Sequence, residues 1–304
     1  MVQVSKVQKI AASEYGRCVR NQNYRLWALF VIGFTVIGAR VLVNQWAQPI
    51  YSFSATEWNA FRTLLANLAA VYYYVLPIFA VIVAHDLFNE PRDRGLVATL
   101  SEHGARASDI HWGRLAGRLA YLSLVVGASF AAGLMVVIVT LLALPQSLTL
   151  IEVERAVPVL IFAETLGATV FWVVAAISCV VRDARKSIMV SMALLAFVLL
   201  GATLVSDILL YSSFGPMPIT GTVEWGDFLH SARNTVGRRV YDLSPIDTFL
   251  MFVTFLSGSA NFSVWFAIEV WFTPALQTAI AFVVFLACAC KRRLFHLRWE
   301  QSPR

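Results

Sequence analysis

Charge is scarce in this chain: only 14% of its 304 residues are Asp, Glu, Lys or Arg, against about 25% in a soluble domain. Cysteines number four, methionines six and histidines five. No Cys-x-x-Cys and no His-Glu-x-x-His occurs, so the usual spacings of a zinc site are missing. A copper path rich in Met or Cys is unsupported. Lysine is confined to Lys6, Lys9, Lys186 and Lys291, and none follows a glycine. The Gly-x-x-x-x-Gly-Lys-Ser/Thr phosphate cradle is therefore absent. The first 25 residues hold no apolar core of the kind a secretory signal needs, so the first apolar run is expected to stay as an anchor.

What the chain does have is apolar length. Hydrophobic residues make up 59% of it, and the mean hydropathy is +0.69. A helix needs about 20 mostly apolar residues to cross a bilayer. Six segments qualify: Leu26 to Val43, Leu68 to Phe88, Leu119 to Leu144, Val159 to Val181, Ser187 to Val205 and Phe266 to Cys290. The runs are continuous rather than alternating, which selects helices over a barrel. The stretch Phe249 to Leu256 is too short and reads as a re-entrant or interfacial helix. The expectation is an all-α integral membrane protein with six transmembrane helices.

Basic residues orient the spans. Most of the 24 Lys and Arg residues fall in the N-terminus, the second-to-third loop, the fourth-to-fifth loop and the tail. That side is expected to be cytoplasmic, with both termini there. The opposite side keeps Arg62, Arg155, Arg233, Arg238 and Arg239. The net charge of +6 follows from this bias, and the scattered basic residues argue against nucleic acid as a partner. No cysteine lies in an expected external loop, so no disulfide is expected. Cys288 and Cys290, two apart on a helix, do not share a face.

Three pieces lie outside the spans. Residues 1–25 carry Val7, Ile10, Ala11, Tyr15, Cys18 and Val19 at helical spacing, which predicts an amphipathic helix on the cytoplasmic surface. The domain order is then this interface helix, a transmembrane domain over 26–290, and a basic tail over 291–304. A coupling loop over 86–118 reads as two short helices with a bend at Gly104, the second capped by Ser108. Residues 206–265, with Ser244-Pro245 as a helix start, predict an external cap.

Arg40, Glu164 and Glu269 lie inside the outer ends of spans one, four and six. Charges there are costly and usually functional; lining a path, pairing with one another and snorkelling to the interface all remain open. His85 and Asp86 end the second span with too few ligands for a metal. Ser178, Ser187 and Ser191 have no evident base. The run Tyr72-Tyr73-Tyr74 faces three directions and reads as packing. Pro77 is a candidate kink and Gly167 a candidate close approach.

The second-to-third loop, with the six-span layout, resembles the permease subunits of ABC-2 type transporters, especially the branch of the nitrous-oxide-reductase maturation system. The matching residues are Glu90 and Arg92, then Gly95, Leu96 and Leu100, then Arg106, Asp109 and Ile110, then Gly113-Arg114. Pro91, Leu96, Gly104 and Arg114 depart from the family's usual residues. The resemblance implies an ABC-2 or type V exporter-like fold with a coupling helix over Gly104 to Ile110, seated on an ATPase. It implies Glu90, Arg92, Gly95, Gly104, Arg106, Asp109 and Ile110 as ATPase-coupling residues. It further implies a separate P-loop ATPase in two copies that carries ATP and Mg, a second permease chain, and an inner or plasma membrane location. This chain itself is expected to bind no cofactor. A non-transporting partner in a maturation or signalling complex, or a membrane-embedded enzyme, are the other functional classes compatible with the sequence.

Overall fold

The computed structural model describes residues 4–46, 60–89, 106–143, 156–181, 183–197 and 264–291. These form seven helices: α1 Val4–Arg20, α2 Gln22–Trp46, α3 Ala60–Ala84, α4 Ala107–Ala143, α5 Ala156–Val180, α6 Ala184–Ala196 and α7 Val264–Lys291. The expected apolar segments overlap α2 to α7, the fifth, Ser187 to Val205, being described only as far as residue 197. Three helical stretches among the described residues are long and apolar enough to cross a membrane: Ser108–Val139, Ala156–Val180 and Phe272–Lys291.

The helices stand side by side around α3, α4 and α5. α4 packs on α1, α2, α3 and α5, while α7 rests chiefly on α5 and α6 on α3 and α5. Leu68, Leu76, Phe79, Val126, Val159 and Phe171 fill the centre. Outward faces stay apolar: Leu29, Ile37, Phe272 and Val283 are exposed, as lipid contact requires. Such a bundle gains little from hydrophobic burial between helices in lipid, so close packing and polar links must hold it. Tyr72 shares a hydrogen bond with Ser129 at 3.1 Å, joining α3 to α4, while Tyr74 faces outward. Thr169 and Thr278 meet at 2.7 Å and join α5 to α7.

Glycine explains the closest approaches, although not at Gly167. A Cβ there would meet Leu76 and Leu122 at ordinary contact distances. At Gly133 it would lie 2.6 Å from Leu68 and 2.9 Å from Thr35, and at Gly38 it would lie 2.9 Å from Val71. α3 runs through Pro77 without ending, and α7 carries a second internal proline, Pro274.

Two expectations need correction. A short helix capped by Ser108 is not what the chain forms after Arg106, while the expected bend at Gly104 lies outside the described residues. Residues Ala107–Ala143 make one unbroken 37-residue helix. Nothing between Ala107 and Leu119 breaks it, and Gly113 and Gly117 serve packing instead of bending. At 1.5 Å per residue α4 is about 56 Å long, far more than the ~30 Å of a hydrocarbon core. The second correction is that α3 stops at Ala84 rather than Phe88, which leaves His85 to Asn89 in a turn. Most of the expected external cap, with Phe249 to Leu256, lies outside the described residues.

Candidate functional site

One end of the bundle holds an unusual concentration of buried charge. α1 contributes Glu14 and Arg17, the turn after α3 contributes Asp86, and α4 contributes Arg114 and Arg118. Arg118 has no exposed surface, Arg114 retains 1% and Glu14 5%. Arg114 and Arg118 are four apart, so they lie on one face of α4. Gly113 and Gly117 repeat that spacing next to them. The glycines let α1 come within backbone contact: a Cβ on Gly117 would lie 2.5 Å from the Ala11 carbonyl oxygen, and one on Gly113 would lie 2.6 Å from Ile10.

Arg118 is the hub. Its Nε donates to Glu14 Oε1 at 2.8 Å. Its Nη1 donates to the Val83 carbonyl at 2.8 Å and to an Asp86 carboxylate oxygen. The guanidinium lies 5.8 Å from the Tyr24 ring centroid. The planar five-donor fork of arginine suits such convergent work, which a lysine would not perform. Glu14 also accepts from Arg17 at 2.6 Å and Arg114 at 3.4 Å. Tyr24 donates to Asp86 at 3.3 Å, and Tyr121 donates to the Tyr24 carbonyl at 2.8 Å. α1, the start of α2, the end of α3 and the first turns of α4 are thereby clamped together.

Burial alone would push the Glu14 carboxyl up, but Arg114, Arg118 and Arg17 outweigh it and hold it below the ordinary value. At Asp86 burial again opposes ionisation, yet Arg118 brings the carboxyl down to about 2. Burial pushes the Cys18 thiol up to about 11, so it stays protonated and unreactive. A carboxylate depressed by folding stabilises above its unfolded pKa and loses that contribution as pH falls through the folded one. For Asp86 that window runs from the ordinary 3.8 to about 2. Docking of α1 is therefore expected to be constant from neutrality to about pH 5 and to loosen only below about pH 4. Distances between spin labels on α1 and α4 check this, and loosening near pH 6 would contradict it.

The same contacts revise the role of α1. Its helix forms as expected, but the face carrying Ile10, Ala11 and Cys18 is turned onto α4. Glu14 sits in that face and gives it an ionic anchor that a lipid-lying helix would not need. It is the one acidic residue before Leu26, and that was the available signal. Arg118 was legible only as a basic residue of a cytoplasmic loop, and Arg114 as that and as part of the Gly113-Arg114 resemblance.

The expected coupling residues divide three ways. Arg106 is exposed just before α4. Asp109 and Ile110 are 1% and 0% exposed, inside the chain's own packing. Glu90, Arg92, Gly95 and Gly104 lie outside the described residues. Phe88 links this end to other helices, stacking on Phe285 of α7 at 6.0 Å and donating its N–H to Ser178 Oγ of α5 at 3.3 Å.

Toward the other end of α5, Glu164 lines a groove of about 750 Å³ between α4, α5 and α7. Ser123 of α4 lines the same groove, and Arg40 lies exposed on α2, which packs on α3 and α4. Glu269 belongs to α7, with its side chain outside the described residues.

The family model described as ABC-2 family transporter protein matches residues 8–296, from within α1 to beyond α7. The chain belongs to the ABC-2 transporter family. It is a membrane permease of an ABC system, and membership implies pairing with an ABC ATPase in the assembled transporter. Among curated proteins none matches the chain. The clamp thus occupies the end of an ABC-2 permease from which the loop between α3 and α4 emerges.

Proposed function

We propose that this permease exports a lipid, glycan, peptide or other hydrophobic substrate, driven by a separate P-loop ATPase. The assembly contains two permease chains, most simply a homodimer, and two ATPase chains that carry ATP and Mg²⁺. The permease has six spans, and both termini lie on the cytoplasmic side of an inner or plasma membrane. The finer branch follows the nitrous-oxide-reductase maturation permeases, on the loop residues quoted above.

The observation that carries this reading is the family match along nearly the whole chain, joined to the clamp at the base of the loop. The Asp86–Arg118 pair ties the two ends of that loop together. A push on residues 90–106 is thereby delivered to α1, α3 and α4 as one body. Arg106 is the exposed coupling residue, while Asp109 and Ile110 hold the first turn of α4 in place for it.

The test is affinity purification in mild detergent with ATPase measurement. A stoichiometric P-loop ATPase is expected to co-purify, and Arg106→Glu is expected to weaken its retention or uncouple its hydrolysis from transport. A chain that purifies alone in several detergents would remove the transporter reading.

A further inference from the structure

The groove beside Glu164 carries a chemical selection of its own. Its volume of about 750 Å³ lies in the range of small-molecule sites, about 300–1,000 Å³. Its walls are mainly apolar, with the aromatic rings of Trp172 and Phe282 meeting at 4.8 Å. Glu164 is half-buried, about 12 Å along α5 from its Ala156 end. Among the described residues, those lining the groove include no Lys, Arg or His. A carboxyl at such a place is costly without a countercharge.

The hydroxyls around it have already spent their protons. Thr165 donates to the Ile161 carbonyl at 2.7 Å, and Thr278 donates to the Pro274 carbonyl at 2.8 Å. A hydroxyl has one proton and two lone pairs, so what these groups still offer is acceptor capacity. A phosphate or carboxylate headgroup would face acceptors and a like charge. A group that brings only donors and a positive charge is complementary.

We propose that the groove between α4, α5 and α7 binds a protonated amine carried on an apolar tail, with Glu164 as its counterion. The ammonium forms charge-assisted hydrogen bonds to Glu164, and the tail lies along the apolar walls toward Trp172, about 12 Å further along α5, and Phe282. This names the chemical class of the exported substrate and, for that role, rests on the permease reading; the binding chemistry rests on the groove alone.

The experiment uses the purified full-length chain in detergent with a photoactivatable long-chain primary amine, its label mapped by peptide mass spectrometry. Labelling is expected on α5 and α7, with displacement by dodecylamine and not by dodecanol. Glu164→Gln is expected to lower labelling about tenfold, the loss of one charge-assisted hydrogen bond. The N-acetylated probe and an alkyl phosphate are expected to label at the level of that variant. Equal labelling by the acetylated probe, or displacement by dodecanol as effective as by dodecylamine, overturns the proposal without requiring any variant to fold. Amine labelling in complexes that move no solute with ATP would remove the export reading and leave the site standing. Transport without amine labelling would overturn the site alone.

Discussion

Arg118→Met is expected to destabilise the detergent-solubilised permease by about 3–5 kcal/mol, the usual cost of removing one partner of a buried ionic network. The substitution keeps most of the side-chain volume but leaves Asp86 with the Tyr24 hydroxyl and Glu14 with Arg17 and Arg114 alone. Glu14 loses its 2.8 Å bond, and Asp86 loses the cation that holds its pKa at about 2. Arg118→Lys is expected to recover little, because one ammonium cannot reach Glu14, Asp86 and the Val83 carbonyl with the geometry of the guanidinium. Adding Glu14→Gln to Arg118→Met is expected to cost less than the two singles together, since both singles weaken the same Arg118–Glu14 bond. Thermal unfolding followed by size exclusion measures all of these. A melting temperature unchanged in Arg118→Met would mean that the network contributes nothing to the fold.

Gly117→Val is expected to release α1 from the bundle while leaving the spans in place. The added Cβ would lie 2.5 Å from the Ala11 carbonyl oxygen and 2.9 Å from Glu14 Cβ. Both contacts are to the backbone or its root, so no side-chain rotation relieves them. Cleavage of residues 1–20 by added protease is expected to rise at least about tenfold, as for a segment whose local opening has become cheap. Gly33→Ala is the control, since a Cβ there meets nothing within 4 Å. If α1 transmits force from the loop, the ATPase of the complex should also lose its stimulation by substrate in Gly117→Val. Unchanged protection of α1 would show that its seat on α4 is looser than a backbone contact.

The three membrane-long apolar helices among the described residues were legible because lipid demands long apolar runs, and such runs need no knowledge of partners. α1 was legible as a helix for a related reason: Val7, Ile10 and Ala11 repeat at its pitch. Its seat was not, because periodicity says that a face is buried and not what buries it. The clamp was hidden by separation along the chain, since Glu14 meets Arg118 across 104 residues. Counting Arg114 and Arg118 toward membrane orientation also gave each a sufficient reason to exist. Glu164 was picked out by the cost of charge in a span, but its acceptor-rich surroundings came from Ser123, Pro274 and Thr278 on other helices. Ser108 misled because it is a good cap residue, and here the helix had already begun.

The unbroken length of α4 makes it a lever. Its Gly113–Arg118 segment is pinned to α1 and to the turn after α3, a fulcrum close to one end. On the short side stand Ala107 and the exposed Arg106; on the long side the helix runs on to Ala143. The far arm, from Arg118, is about 38 Å at helical rise and the near arm about 16 Å. If the ATPase pushes near Arg106 and α4 turns about the clamp as a rigid rod, the stroke is expected to be multiplied roughly twofold at the opposite end, with its direction reversed. A rigid rod asks for no chain of rearranging side chains between the two ends. What it demands is a firm pivot, and the two buried carboxylates around Arg118 provide one.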